Sequence, residues 1–395
     1  MDFFDQSYFR LTKVLMCCIG QWPYQPTYQR IIISSFISFM HITFFITLIS
    51  GIANSNNFDD SINILTAIIM STTCYSKLIN SVLLMKEMKY LLGEIKTDWS
   101  IVSGPEVNIL KKFAVRGQKL SLMYVAYIYF VVSVYLVTTY IPQMLNIIKP
   151  LNVSRPRKRT YKSNYFIDED KYYYHINFHE QITVVLNMTT FLTMDAMYVV
   201  YTEHICGMFA ILGYRIENLF KDKINHSELS EDCSLQDDEK LTKEVSGCLL
   251  LHQKNIEYAK KLGAAFSASV FCQVGLSMIL LSITGYVTII KLDAPDEFMK
   301  FFSYVLGQIV YIFYICLPGQ KIMDASENIV SALYNSQWYL MPLKIRRDFI
   351  VIMIRSARPC CLEAGGIFTL SLLTFSVNVR STTSTAKFEA ENFAS

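Results

Sequence analysis

Residues able to do chemistry are sparse in this chain and sit among apolar neighbours. Asp195 lies in the run FLTMDAMYVVYTEH, where an unpaired carboxylate would cost at least about 2.5 kcal/mol to insert into a hydrocarbon core. It must therefore meet water, a hydroxyl or a cation. A tie to a neighbouring helix is favoured here over a polar cavity wall. Lys77 interrupts another apolar run near its inner end, where a lysine can snorkel to the headgroups. Glu203 and His204, two turns beyond Asp195, read as ordinary solvated residues near an interface. His179-Glu180 in FHEQ lacks the second histidine of a zinc-protease helix, and no nucleophile elbow, Walker A loop or dinucleotide fingerprint occurs. No catalytic residue, metal or cofactor is expected.

Binding is the remaining chemistry. A cavity for a small molecule needs mostly apolar and aromatic walls with one or two polar groups for orientation. Tyr304, Gln308 and Tyr311 recur at i, i+4 and i+7, which puts two phenols and an amide on one helix face. Met188, Phe191 and Asp195 share a face in the same way, and Phe130 and Tyr135 lie in another apolar run. Aromatic and methionine stripes are more often plain helix packing than ligand contacts. The Tyr304 triplet rises above that background because its polar tips need partners.

The elements that must position these residues are membrane helices. Hydrophobic residues make up 52% of the 395, aromatics 14% and charges 17%, short of the about 25% charge typical of soluble domains. A net charge of +3, spread over loops, gives no nucleic-acid patch. The fold class expected is all-α, one domain over 1–395, with spans near 31–53, 61–85, 120–141, 181–213, 263–290, 299–317 and, less apolar, 361–385. Between spans, LLMKEMKYLLGEI, LGYRIENLFKDKI and LTKEVSGCLLLHQKNIEYAKKLG have helical periodicity, as solvated extensions or as a subunit-packing surface. The acidic stretch 225–244 reads as a loop.

Orientation follows from Lys and Arg. Connections 54–60 and 291–298 are poor in them, whereas 86–119 and 319–358 are rich, which places the N-terminus in the cytoplasm and the C-terminus outside. The segment 143–180 disagrees, with Arg155, Arg157, Lys158, Arg159 and Lys162 on the outer side. Its sequon at Asn152 is the one positioned to accept a glycan; those at Asn187 and Asn225 fall in a span and in the cytoplasm. No signal peptide is read in the first thirty residues. None of the ten cysteines falls in an outer loop, so no extracellular disulfide is expected. Cys360 and Cys361 read as small filler before a palmitoylation site.

One stretch is more specific. Ser326, Glu327, Ala332, Tyr334, Ser336, Trp338, Tyr339, Pro342, Arg346 and Arg347, then Pro359, Gly365, Gly366, Phe368, Ser371 and Phe375, are spaced as in a C-terminal signature. The pattern resembles that of the insect odorant receptors, tightly over 319–376 and loosely elsewhere. The resemblance implies a seven-transmembrane, odorant-gated cation channel subunit in the plasma membrane of olfactory sensory neurons, working in a heterotetramer with a co-receptor. It implies that 214–262 and 319–345 form a cytoplasmic anchor between subunits, and that a small volatile odorant binds in the outer half. Phe130, Tyr135, Met188, Phe191, Tyr304, Gln308 and Tyr311 are the candidate contacts. It further implies a pore lined by the second half of the seventh helix, beginning near Glu363, with Phe388 by position at the gate.

The chain departs from the pattern after Ser381, where STTSTAKFEAENFAS replaces an aromatic turn resembling SYSYFxVLR. Lys387, Glu389 and Glu391 are costly there. A gustatory receptor should end in a TYxxxxxQF-like motif, and a G-protein-coupled receptor needs DRY, NPxxY and an external N-terminus; the chain has none of these motifs.

Overall fold

The computed structural model describes residues 3–55, 57–150, 155, 157, 159–219, 235–336, 338–340 and 343–394. After a turn at Phe3–Asp5 the chain forms α1 (Ser7–Cys18), α2 (Thr27–Ala53), α3 (Phe58–Leu83), α4 (Met85–Ile101), α5 (Pro105–Thr138), α6 (Ile141–Ile148), α7 (Tyr173–Asn218), α8 (Leu235–Ile290) and α9 (Pro295–Asn335). A turn at Trp338–Leu340, α10 (Leu343–Ser356), the strands β1 (Glu363–Ala364) and β2 (Phe368–Thr369), and α11 (Leu372–Ala394) complete it.

Six helices are long and apolar enough to cross a membrane among the described residues: Thr27–Ala53, Asp60–Leu83, Pro105–Thr138, Tyr173–Asn218, Glu239–Ile290 and Glu297–Asn335. The last three run on without a break. At 1.5 Å per residue the 56 residues of α8 span on the order of 84 Å, far beyond a hydrocarbon core of about 30 Å. Periodicity past the spans continues them at 235–262, the first half of α8, and at 319–335, the second half of α9, whereas LLMKEMKYLLGEI falls largely in the separate helix α4. The stretch 225–244, expected as a loop, is helical from Leu235 onward; its first part, with Asn225, lies outside the described residues.

The expected seventh span needs correction at its start. No helix begins at 361. Gly365 (φ 62°) and Gly366 (φ 69°) turn the chain in the left-handed region, and Glu363 and Ala364 pair antiparallel with Thr369 and Phe368. Helix α11 starts at Leu372, where the Ser371 hydroxyl accepts the Thr374 N–H at 3.2 Å as an N-cap.

The chain divides into two compact units. The first comprises Met1–Lys86 and Gln118–Met197. Its packing includes Phe44, Leu48, Ile64 and Ala67, on which Tyr161 of the 149–172 connection rests. That connection is tied down by Asn164, whose N–H donates to the Thr47 carbonyl at 3.2 Å. Two of the cations that oppose the orientation rule are matched by acids: Arg159 pairs with Glu180 (3.0 Å) and Glu169 (2.8 Å), and Lys162 with Asp60 (2.7 Å). Asn152 lies outside the described residues.

The second unit comprises Glu87–Gly117 and Tyr198–Ser395. Met88, Leu91, Leu92 and Ile95 recur at helical spacing on one buried face of α4, and Asp98 continues that face. The Tyr201 hydroxyl donates to the Met88 carbonyl at 3.1 Å. Nine of the cysteines are described, and all nine are free.

Candidate functional site

In the first unit the intramembrane charges find each other. Lys77 Nζ lies 2.7 Å from Asp195 Oδ1, with side chains 1% and 6% exposed. Lys77 therefore does not snorkel to the headgroups: its ammonium turns inward because a carboxylate is waiting on α7. The Tyr124 hydroxyl of α5 donates to the other carboxylate oxygen at 3.2 Å. The lysine also donates to the Phe191 carbonyl at 3.4 Å and stands 3.5 Å from the centroid of the Phe191 ring. Asp195 is thus a tie among three helices, and its cation fixes the candidate ligand residue Phe191.

The other candidates of this unit sit in different surroundings. Met188 is half-buried, whereas Phe130 is 69% exposed and faces away from the packed interior. Tyr135 donates to the Thr160 carbonyl at 3.3 Å and its ring meets Tyr161. A further polar pair, absent from the sequence reading, joins His41 Nδ1 to Asn187 Oδ1 at 2.8 Å, with the imidazole stacked on Tyr75. That contact occupies Asn187 within a buried helix face. Nothing in local spacing signals it, because the partners are 146 residues apart.

In the second unit the Tyr304 triplet lies on α9. Tyr304 is half-buried and packs edge-on against Phe301; Gln308 and Tyr311 are buried. The Tyr311 hydroxyl donates to Gln273 Oε1 of α8 at 2.8 Å, and Gln273 Nε2 donates to Ser269 Oγ at 2.7 Å. The expected partner for one polar tip is therefore a buried amide on the adjoining helix. Gln273 and Ser269, at i and i−4 in an otherwise apolar run, carried that signal.

Glu203 and His204 also need correction. Both are buried. Glu203 receives Arg116 of α5 at 2.7 Å and Lys321 of α9 at 2.5 Å. His204 Nε2 meets Asp98 at 3.0 Å, and Lys254 reaches Asp98 at 2.5 Å and Glu94 at 2.9 Å. Arg215 grips Glu106 through two nitrogens at 2.6 and 2.7 Å. Burial pushes the Asp98 carboxyl up, but the His204 and Lys254 contacts outweigh it and hold the group below the usual carboxylate range. Among the described residues no group of three or more His, Cys, Asp or Glu could hold a metal ion. The side chain of Phe388 lies outside the described residues.

The model of the family described as "7tm Odorant receptor" matches residues 57–383, most of the chain. The chain belongs to the insect-type odorant receptor family. Among curated relatives, Odorant receptor 9a of Drosophila melanogaster is 25% identical over 50% of the chain and 46% of its own length. Odorant receptor 67a of the same organism is 30% identical over 26% and 25%. The matches thus span at most about half the length of these relatives. The solved structure of the olfactory receptor OR5 from Machilis hrabei in complex with eugenol shares the fold with a TM-score of 0.71, covering 96% of each chain at 14% identity. The odorant receptor family is one of receptors and not of enzymes.

Two outcomes follow from the charge network. Glu203→Leu strands Arg116 and Lys321 and should cost roughly 1–3 kcal/mol, less than for a fully buried pair because Arg116 is half-exposed. Glu203→Gln, which keeps an acceptor, should cost less; thermal unfolding of the purified receptor in nanodiscs reads both. Because the folded Asp98 is a stronger acid than the unfolded one, its stabilisation is present above the unfolded value and is lost as pH falls through the lower folded value. The melting temperature should drop on acidification below about pH 4, and Asp98→Asn should flatten that limb.

Proposed function

We propose that the chain is the odorant-binding subunit of a ligand-gated, non-selective cation channel, working with a co-receptor subunit in the plasma membrane of olfactory sensory neurons. The observation that carries this reading is the family match over 57–383, on a fold shared along nearly its whole length with a solved olfactory receptor. In this reading the N-terminus is cytoplasmic and the C-terminus external, α11 supplies the seventh crossing and lines the pore, and the first half of α8 with the second half of α9 forms the anchor against neighbouring subunits.

The odorant contacts are assigned within each unit. In the second, Tyr304, Gln308 and Tyr311 offer aromatic surface and the Tyr311–Gln273 hydrogen bond offers one polar orienting group, the mix a small volatile molecule needs. In the first, Met188 and Phe191 offer apolar surface beside the fixed lysine, with Tyr135 further along α5; Phe130 is the least enclosed of the seven. OR5 binds eugenol, a phenol, which makes phenols a first class to try. Phe388 is kept as the positional candidate for the gate, in a tail whose charges oppose that role.

Whole-cell recording tests the reading. Cells expressing the chain with a co-receptor, exposed to an odorant panel that includes eugenol, should carry an inward cation current absent from cells with the co-receptor alone. A parallel chain with a family-like tail after Ser381 should conduct at least as well. No current from either chain at normal surface expression would contradict the assignment. Tyr311→Phe should raise the half-maximal concentration of oxygen-bearing odorants by about fivefold, as expected for a lost hydrogen bond of about 1 kcal/mol.

A further inference from the structure

Helix α11 is held at its start by side chains and backbone of α8 and α9, and the holding points cluster on the β1–β2 hairpin. On α8, the Gly365 N–H donates to Ser267 Oγ at 2.9 Å and to the Ser267 carbonyl at 3.2 Å. One turn along the same face, the Phe271 ring stacks on Phe368 and leaves no room at Gly365, where a Cβ would lie 2.8 Å from it. On α9, the fit is closer still. A Cβ at Gly319 would be driven into the Leu370 carbonyl oxygen and would lie 2.6 Å from Leu370 Cβ. The next residue, Gln320, accepts the Leu372 N–H through Oε1 at 3.2 Å, supplying a partner to the first turn of α11. Its amide nitrogen is held by Asp324 at 2.7 Å.

The clamp lies beside a weak point in α9. Pro318, inside the helix, has no N–H to give the Tyr314 carbonyl and crowds it. Tyr311, bonded to Gln273 of α8, is eight residues before Gly319, about 12 Å along the axis. The contact between α8 and α9 and the start of α11 are therefore joined through a short, closely packed path with a proline in it.

We infer that the β1–β2 hairpin, gripped by Ser267 and Phe271 of α8 and by Gly319 and Gln320 of α9, is the coupler that sets the position of α11 according to how α8 and α9 sit together. Gly319 and Gln320 are its positioning residues. The inference rests on the channel reading, in that a change at α11 is read as a change in conduction. A rearrangement of the Tyr311–Gln273 contact on odorant binding reaches α11 because Gly319 leaves no slack against Leu370. The first turn of α11 follows α9 through the Gln320 acceptor.

The test compares Gly319→Ala with Gly307→Ala, a glycine of the same helix with nothing within 4 Å of an added Cβ, and Gln320→Met with the double variant Gln320→Glu/Asp324→Asn, which keeps the acceptor and reverses the bond between positions 320 and 324 so that two carboxylates do not face each other. Receptors are expressed with a co-receptor and tested with the panel member that gives the largest wild-type current. At matched surface labelling, Gly319→Ala and Gln320→Met should lower the maximal current per surface receptor by about fivefold or more, the lower range of a coupling free energy. Gly307→Ala and Gln320→Glu/Asp324→Asn should stay within about twofold of wild type on the same scale. Wild-type currents from Gly319→Ala and Gln320→Met would overturn the proposal. So would a Gln320→Glu/Asp324→Asn channel as weak as Gln320→Met. If Gly319→Ala fails to reach the surface, the Gln320 pair decides. A second readout does not need a current: hydrogen exchange of purified receptor should be faster at 360–376 in Gly319→Ala and Gln320→Met than in wild type. Unchanged protection there would overturn the clamp even if the wild-type chain carried no current, an outcome that would count against the channel reading instead.

Discussion

A helix in a bilayer core cannot leave a charge unpaired, and that constraint organises the first unit around Lys77 and Asp195. The ammonium on α3 and the carboxylate on α7 neutralise each other at 2.7 Å with almost no exposure, while Tyr124 on α5 takes the remaining carboxylate oxygen. Three helices are thereby fixed in rotation about their axes, since turning any of them would bury a bare charge or a bare hydroxyl. Phe191 is fixed with them. Its ring lies against the ammonium and its carbonyl accepts from it, so a residue proposed to meet the odorant is oriented by the pair.

The second unit pairs its buried charges in the same way, with more partners. Glu203 draws α5 and α9 to α7, while Asp98 draws α7 and α8 to α4. These ties sit on helices that run far past the length needed to cross a membrane. In the proposed coupling, α8 and α9 bear on α11 through the hairpin between them. Pro318 supplies the place where α9 can give, and Gly319 the place where it cannot avoid pushing.

Much of this was legible in the residues. Six of the expected spans correspond to the six long apolar helices, and the periodic connections are helical over most of their described residues. The C-terminal signature pointed to the family that the comparison then showed. Asp195 was read as a tie because an apolar run makes a lone carboxylate expensive. What the chain could not give was the partner: Lys77 is 118 residues away, and each charge read alone had a solvent-side explanation. Glu203 and His204 failed for the same reason, their partners lying on α4, α5, α8 and α9. The start of the seventh helix was misplaced because 361–371 is apolar enough to resemble a span, and its glycine pair, read as part of a family signature, was not read as a turn. Five of the seven ligand candidates come from periodicity, and Phe130 and Tyr135 from their place in an apolar run; neither signal shows what a helix face meets.

A double-mutant cycle on Lys77 and Asp195 measures directly whether the buried charges are coupled. Lys77→Met, Asp195→Leu and the double variant would be purified in nanodiscs and their unfolding free energies compared. Each single change should be costly and the double change should recover much of the loss, with a coupling energy of about 2 kcal/mol or more. Additive losses, with a coupling below about 0.5 kcal/mol, would contradict that pairing.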